Sequence, residues 1–311
     1  MELLDLKAVL NKNYGDFVSG MCLLQTYQKQ PQKNGGYFIG GTLLSQTGGL
    51  SFKAWSNSSA YNTLSDRDFT GKVVNLSGKV NIYGGVCGLI VNDIELVSEE
   101  LLNQSGLSVV DFMHRKYDID KYMSNFETLL KSRLSDKCYS LFEGIFEEYQ
   151  DTFKYEFAAI SHHDNCVGGL LAHTLKVCKI ATVLSLYPRL LQHISVDALF
   201  FGCAIHDIGK IVEYNNGTLS KEGTSVSHLV SGCEVLFKHK DLIVEEMGMD
   251  FYLSILSIVS CHHGEYGEPP RTVAAYVVHL LDKLESGLTG LSDKLEQSEG
   301  ERVSYDSFVL S

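Results

Sequence analysis

The stretch "CAIHDIGKIVEY", residues 203–214, follows an almost uninterrupted apolar run, "DALFFGCAI". Such a run predicts a buried helix, and we expect that helix to continue to Tyr214. His206 and Asp207 stand side by side within it. A buried carboxylate is strongly unfavourable unless a cation or hydrogen bonds meet it. The motif therefore predicts a positive charge inside the protein, beside Asp207.

From about residue 99 onward the apolar residues follow helical spacing, which predicts an all-α domain. Polar groups recur on its inward faces; His173, for example, shares a face with Leu170 and Val177. The polar residues that stand out are His173, His206, Asp207, His228, His262, His263 and Asp282. Histidines and aspartates that converge inside a protein are ordinary ligands for Mn, Fe, Zn or Ni, so the pattern indicates a metal site.

A simpler interpretation exists for most of these residues. A lone inward histidine such as His173 is more often a hydrogen-bonded core residue, and His228 is open to both interpretations. Asp282 would by default be an exposed helix charge, because Lys283 and Glu285 flank it. The adjacent His-Asp pair is harder to explain without a metal, and the set is more specific than any member. We interpret four other histidines as structural or surface residues: His114, His193, His239 and His279.

Residues 17–97 show short β patterns separated by glycine-rich turns. The predicted strands are "FVSGMCLLQTYQ", "YFIGGTLLS", "LSFKAW", "KVVNLSGKVNIYGG" and "VCGLIVNDIELV". A helical or loop insert, "SNSSAYNTLSDRDF", separates the third from the fourth, which is typical of the small β-barrel called an OB-fold. OB-folds stack the bases of single strands on aromatic rings beside basic residues, and Trp55 and Lys53 are candidates for that task.

The 311-residue chain is 44% hydrophobic and 21% charged, as expected of a soluble protein with two domains. Its net charge is −12, yet residues 1–98 carry 8 basic against 7 acidic residues. Because phosphates attract lysine and arginine, binding to nucleic acid would depend on this near-neutral half or on metal ions. We expect neither a signal peptide nor a transmembrane segment, and we expect reduced thiols at the 8 cysteines, hence a cytosolic protein.

The order H…HD…H…H…D, with "HDIGK" at its centre, resembles the HD-domain metal-dependent phosphohydrolases. The stretches "HHDNCVGGLLAHTL" and "CHHGEYGEPP" resemble the YhaM-like 3′→5′ exoribonucleases, which join an N-terminal OB-fold to an HD domain. In the N-terminal half the resemblance rests on strand order and "FKAW". The segment "GEYGEPP" departs from the Gly-Tyr-Pro of the HD-GYP phosphodiesterases, which disfavours hydrolysis of cyclic di-GMP.

The resemblance implies an OB-fold over 1–98, a helical linker over 99–150, an HD domain over 151–290 and a tail over 291–311. It implies that one divalent ion is held by His173, His206, Asp207 and Asp282. A second ion would be held by His228 and His262, with Asp207 as a bridge and His263 as a less certain ligand. Manganese is favoured, with Fe, Ni, Co, Zn and Mg as alternatives.

Four further residues are candidates for contact with the substrate or the attacking water. Lys210, three residues after Asp207, would meet a phosphate oxygen or the attacking water. Weaker candidates for substrate binding are His162, His163 and Arg271.

The implied activity is that of a cytoplasmic, metal-dependent 3′→5′ exoribonuclease that hydrolyses single-stranded RNA or DNA to mononucleotides. We expect no membrane partner, and the sequence does not decide whether the protein forms a homo-oligomer. One alternative is an HD phosphohydrolase of nucleotides or cyclic nucleotides with a regulatory β domain. A diiron oxygenase of HD type is a second, which the OB-fold disfavours. A binding protein with a vestigial HD half is a third, against which the intact ligand set counts.

Overall fold

The computed structural model describes residues 2–32, 35–113, 115–159, 164–215, 217–264, 267–297, 303–305 and 308–310. The chain divides into two compact units, Met1–Arg115 and Lys116–Ser311. The domain boundaries expected at residues 98, 150 and 290 stay predictions.

The first unit is a closed barrel with the strand order β1-β2-β3-β5-β4. Its strands are β1 (Phe17–Pro31), β2 (Tyr37–Ser45), β3 (Gly48–Trp55), β4 (Lys72–Tyr83) and β5 (Val86–Leu96). Neighbouring strands are antiparallel except β3 and β5, which run parallel and close the barrel. Its helices are α1 (Leu6–Val9), α2 (Ser59–Asp66) and α3 (Glu99–Gln104). Because α2 occupies the predicted insert between β3 and β4, the strand arrangement is that of an OB-fold, as predicted.

Strand β3 shows why this part of the sequence forms a barrel. Leu50, Phe52 and Ala54 are buried, whereas the intervening Ser51 and Lys53 are exposed. Side chains of a strand alternate between its two faces, so one face lines the barrel core and the other meets water.

The second unit is helical, which confirms the other half of the predicted fold class. Its helices are α4 (Ile119–Arg133), α5 (Asp136–Phe146), α6 (Gln150–Phe153), α7 (Gly169–Ala181), α8 (Pro188–Leu191), α9 (Val196–Ile205), α10 (Lys210–Glu213), α11 (His228–Lys238), α12 (Lys240–Met247), α13 (Met249–Cys261) and α14 (Val273–Gln297). The strands of its two short hairpins are β6 (Tyr214–Asn215), β7 (Thr218–Leu219), β8 (Val303–Tyr305) and β9 (Phe308–Leu310). The sequence does not predict these hairpins, because strands of two or three residues are too short to show a period.

An aromatic cluster forms the centre of the helical core. Its members are Phe126, Phe142, Phe146, Phe153 and Phe201, all buried. Phe126 contacts three of the others, with ring centroids 5.8 to 6.4 Å apart. Full burial of one such ring stabilises the fold by about 1.5–3 kcal/mol, so the cluster is a firm support for the helices around it.

The stretch Gly169–Leu186 is long and apolar enough to cross a membrane by length and composition alone. It covers α7 and a following 3-10 turn, and 56% of it is buried within the protein. We therefore interpret it as a core helix.

The helix predicted to run through the His-Asp pair ends earlier than expected. Helix α9 stops before the pair, and α10 begins only at Lys210. The amide of Lys210 donates to the carbonyl of Asp207 at 3.0 Å, an i→i+3 bond that winds the chain more tightly than an α-helix. At the neighbouring Gly209, a Cβ would lie 2.0 Å from the carbonyl oxygen of His228. The prediction of one helix over residues 197–214 is therefore wrong, because the polar pair lies in a turn packed against the start of α11.

Replacing Gly209 by alanine should destabilise the protein by about 1–3 kcal/mol, because the added methyl group overlaps the backbone of α11. Gly144 is a matched control on the exposed face of α5, where a Cβ meets nothing within 4 Å. Gly144→Ala should stabilise by about 1 kcal/mol, the usual advantage of alanine inside a helix. Urea denaturation measures both changes, and a Gly209→Ala protein as stable as the wild type would contradict the packing argument.

Candidate metal centre

The polar residues selected in the helical half meet at one place inside the second unit. They come from α7, the turn between α9 and α10, the start of α11, the chain just after α13, and the middle of α14. Their ligand atoms form two overlapping groups. The first ligand set is His173, His206, Asp207 and Asp282, and the second ligand set is Asp207, His228, His262 and His263.

Four atoms of the first ligand set surround one small volume. His173 Nε2 lies 3.3 Å from His206 Nε2 and 3.4 Å from Asp207 Oδ2. Asp282 Oδ1 lies 3.1 Å from His173 Nε2 and 3.9 Å from His206 Nε2. Nitrogen and oxygen ligands lie about 2.0–2.2 Å from an ion such as zinc, so two ligands of one ion are about 3.0–3.4 Å apart. The spacing therefore fits a single divalent cation.

The second ligand set has a similar spacing on the other side of Asp207. Asp207 Oδ1 lies 3.4 Å from His262 Nε2 and 3.6 Å from His228 Nε2. His263 Nε2 lies 2.9 Å from His228 Nε2. The group has one carboxylate oxygen and three imidazole nitrogens, which suits a second cation.

Asp207 belongs to both sets through different oxygens, with Oδ2 in the first and Oδ1 in the second. Its side chain is 2% exposed. Within the described residues, neither Asp207 Oδ1 nor His262 Nε2 has a hydrogen-bond partner. Buried polar atoms almost always have one. These two atoms therefore fit a ligand that comes from outside the chain, and a cation shared between them satisfies both.

Lys210 is the nearest cation of the chain itself. Its Nζ donates to Asp207 Oδ2 at 2.7 Å, and its side chain is 12% exposed. Burial raises the pKa of Asp207, but Lys210, His206 and His262 outweigh burial and hold that pKa well below its usual range. Asp207 is thus an anion at neutral pH and can bind a cation.

The histidines differ in their electrostatic surroundings. Burial lowers the pKa of His262, and burial together with His262 lowers the pKa of His263 to about 4. Both are therefore neutral near pH 7, the form in which imidazole binds a metal. Burial also lowers the pKa of His173, but Asp282, Glu285 and Asp207 outweigh burial and raise it to about 10. A cation bound by the first ligand set would displace the proton of His173.

Two carboxylates beside the ligand sets were not predicted from the sequence. Glu285 Oε2 accepts a hydrogen bond from His173 Nδ1 at 2.5 Å, and Glu213 Oε2 accepts one from His228 Nδ1 at 2.6 Å. Glu285 is buried and the Asp282 side chain is only 18% exposed, so the alternative interpretation of Asp282 as an exposed helix charge does not hold. The available signal was their spacing, since residues three apart share a helix face.

Of the other predicted site residues of the helical unit, the structure describes Arg271. The Arg271 side chain is 75% exposed and pairs with Glu268 at 3.2 Å. His162 and His163 lie outside the described residues. His279, interpreted as structural, donates from Nδ1 to the carbonyl of His262 at 2.7 Å and so supports the turn after α13.

In the barrel, Lys53 and Phe38 line a groove of about 550 Å³ formed by β1, β2 and β3. The Trp55 ring lies 5.4 Å from the Phe38 ring, centroid to centroid. Lys53 Nζ lies 5.4 Å from the Phe38 ring centroid, and Lys29 Nζ lies 4.7 Å from that of Tyr37. Aromatic faces beside ammonium groups suit the stacking of bases along a phosphate backbone.

Parts of the chain are similar to known proteins. A family model described as HD domain matches residues 170–287. The chain is 25% identical over 314 residues to a Listeria innocua protein named 3′-5′ exoribonuclease YhaM, and 24% identical over 321 residues to one of the same name from Listeria monocytogenes. Each alignment covers 98% of this chain and 96% of the relative.

Among solved structures, the mitochondrial single-stranded DNA binding protein Rim1 of S. cerevisiae is 14% identical, with a TM-score of 0.24; the match covers 27% of this chain and 95% of Rim1. The chain thus contains an HD domain over residues 170–287 and is similar along nearly its whole length to bacterial proteins named 3′-5′ exoribonuclease YhaM.

Proposed function

We propose that this protein is a metal-dependent 3′→5′ exoribonuclease that hydrolyses single-stranded RNA to mononucleotides, with single-stranded DNA as a second substrate. The observation that carries the proposal is the shared carboxylate of Asp207, which has a group of imidazoles on either side. Two cation sites about one carboxylate suit an in-line displacement at phosphorus. The relatives named as exoribonucleases support RNA as the substrate.

Under this proposal the two ligand sets hold one ion each, with Asp207 as the bridge. Divalent ions there would lower the pKa of a bound water and neutralise charge on the phosphodiester. We favour manganese, because a mixture of carboxylates and imidazoles suits it; Fe, Co, Ni, Zn and Mg are alternatives. The shared carboxylate also determines the spacing of the two sites, since both ions must reach the same side chain.

Lys210 has a separate role, because a protonated ammonium has no lone pair and cannot be a metal ligand. Its hydrogen bond to Asp207 Oδ2 holds the ammonium beside both ligand sets. We assign it to the negative charge that grows on a non-bridging phosphate oxygen during attack.

The barrel would hold the strand. Residues 1–98 are nearly neutral while the rest of the chain is acidic, so phosphates are repelled less by the barrel. Trp55 would stack on bases beside Lys53, and Arg271, His162 and His163 are weaker candidates for contact with the substrate. We further propose a cytoplasmic location, in keeping with the eight free cysteines. A homo-oligomer stays a prediction.

End-labelled RNA tests the activity. Single-stranded RNA labelled at its 5′ end should shorten to a ladder from the 3′ end and release mononucleotides. Chelation should stop the reaction and Mn²⁺ should restore it, because the ligand sets are the proposed reaction centre. A 3′-terminal phosphate should slow it, since the family resemblance implies recognition of a free terminal ribose. Hydrolysis of free or cyclic nucleotides with oligomers left intact would instead support a nucleotide phosphohydrolase.

Lys210→Ala should retain its metal and its affinity for RNA, yet lose about 100- to 1000-fold in turnover, the usual cost of one donor to a developing anion. Single-turnover kinetics and metal analysis measure these quantities. Lys179→Ala removes an exposed lysine from α7 and should leave turnover unchanged. Full turnover, or loss of metal, in the Lys210 variant would exclude the assigned role.

Trp55→Ala should weaken the binding of single-stranded RNA by about 1–3 kcal/mol, the typical contribution of one stacked base. Hydrolysis of bis-p-nitrophenyl phosphate should not change, because this small diester needs no barrel contact. Tyr14→Ala removes a 70% exposed aromatic residue from the turn before β1, and it should bind RNA normally. Equal RNA affinity in the two variants would argue against Trp55 as a stacking surface for bases.

A further inference from the structure

Four histidines of the ligand sets have the same ring orientation. In each, Nε2 faces the other ligand atoms while Nδ1 faces an acceptor. The acceptors are Glu285 for His173 at 2.5 Å, the Cys203 carbonyl for His206 at 2.9 Å, Glu213 for His228 at 2.6 Å and the Val259 carbonyl for His262 at 3.1 Å. A neutral imidazole that donates from Nδ1 keeps its lone pair on Nε2. The surroundings thus select the tautomer that can bind a metal.

The acceptors are of two kinds, and each ligand set has one of each. The carbonyls of Cys203 and Val259 belong to the last turns of α9 and α13, which directly precede His206 and His262, so the local backbone supplies these two acceptors. The carboxylates belong to other elements: Glu285 reaches His173 from α14, and Glu213 reaches His228 from α10.

Glu285 is held firmly in its place. It is 1% exposed, and its Oε1 bonds Lys176 Nζ at 2.9 Å and the hydroxyl of Thr289 at 2.6 Å. Lys176 in turn bonds Asp164 at 2.7 Å. The ammonium of Lys176 therefore already fills the space between these carboxylates, and a third cation is not needed there. Burial of a carboxylate is energetically unfavourable. Because Glu285 is nevertheless buried and bonded to a histidine of the first ligand set, we look for its role at that histidine.

Glu213 stands nearer to solvent, with its side chain 12% exposed. It lies in the same short helix as Lys210, three residues later. Its bond to His228 joins α10 to the first residue of α11, and His228 belongs to the second ligand set.

We propose that Glu285 and Glu213 are positioning residues that act on one metal each. Glu285 orients His173 for the ion of the first ligand set, and Glu213 orients His228 for the ion of the second. The inference rests on the metal centre of the proposed function and assigns one orienting carboxylate to each of its halves. Such outer carboxylates fix ring orientation and increase ligand basicity, and their loss typically weakens metal binding about 10- to 100-fold.

Metal titration of the full-length apoprotein with Mn²⁺, by equilibrium dialysis without RNA, tests the proposal. Glu213→Gln and Glu285→Gln keep the size of the side chain and a hydrogen-bond acceptor but remove the charge. Each should weaken one of two binding steps about 10- to 100-fold and leave the other near its wild-type value. Glu234→Gln makes the same change at an exposed position of α11 and should alter neither step.

His262→Ala identifies which ion each glutamate serves, because it removes a ligand from the second set alone. In that background Glu285→Gln should still weaken the remaining ion, whereas Glu213→Gln should have no further effect. The proposal is overturned if the glutamate variants leave both steps unchanged, or if either weakens both steps equally. If thermal unfolding shows that Glu285→Gln does not fold, the proposal is judged by Glu213→Gln, measured alone and in the His262→Ala background.

These measurements do not depend on catalysis. A wild-type protein that binds two ions with the expected pattern but does not shorten RNA would refute the exoribonuclease and leave the positioning roles intact. A wild-type protein that shortens RNA while both glutamate variants bind Mn²⁺ normally would refute the positioning roles and leave the exoribonuclease proposal intact. A wild type that binds no divalent ion would overturn the positioning proposal.

Discussion

The carboxylate of Asp207 lies out of contact with water, and the arrangement of the metal centre follows from that constraint. An ionised carboxylate inside a protein is stable only if cations and hydrogen-bond donors surround it. Lys210 meets Oδ2, but within the described residues Oδ1 has no hydrogen-bond partner and faces the similarly unsatisfied Nε2 of His262. Cations on both sides of the carboxylate would meet this need, and the neighbouring histidines and Asp282 would provide the remaining ligands.

The helical fold supplies the precision that such a centre requires. Ligands must be held within about 0.5 Å of a productive geometry, which calls for rigid supports. Three features provide them here. The aromatic cluster supports the helices, the close approach at Gly209 joins the His-Asp turn to α11, and the acceptors at Nδ1 hold the histidine rings. Loosening the aromatic cluster or the contact at Gly209 would disturb both sets, whereas loss of one carboxylate acceptor would disturb the set to which its histidine belongs.

The two units have complementary chemical properties. The helical unit concentrates imidazoles and carboxylates, which bind cations, and its carboxylates repel phosphates. The barrel is nearly neutral and presents aromatic rings beside lysines. Under the proposed function the barrel provides affinity for the strand, and the metal centre overcomes local repulsion only at the bond to be cleaved. That division explains how an acidic protein can act on a polyanion.

The sequence by itself determined the fold class and the chemical class of the centre. Alternation predicted the barrel strands, with β2 at residues 37–45 as observed, and histidines among apolar neighbours marked the candidate ligands. Such signals are local, because a period or an out-of-place polar residue is visible within a few positions. Only the tertiary structure decided where the helix breaks at the His-Asp pair, which oxygen of Asp207 serves which set, and which carboxylate orients which ring. His173 and Glu285 are separated by 112 positions, and no local pattern encodes a hydrogen bond between residues so far apart.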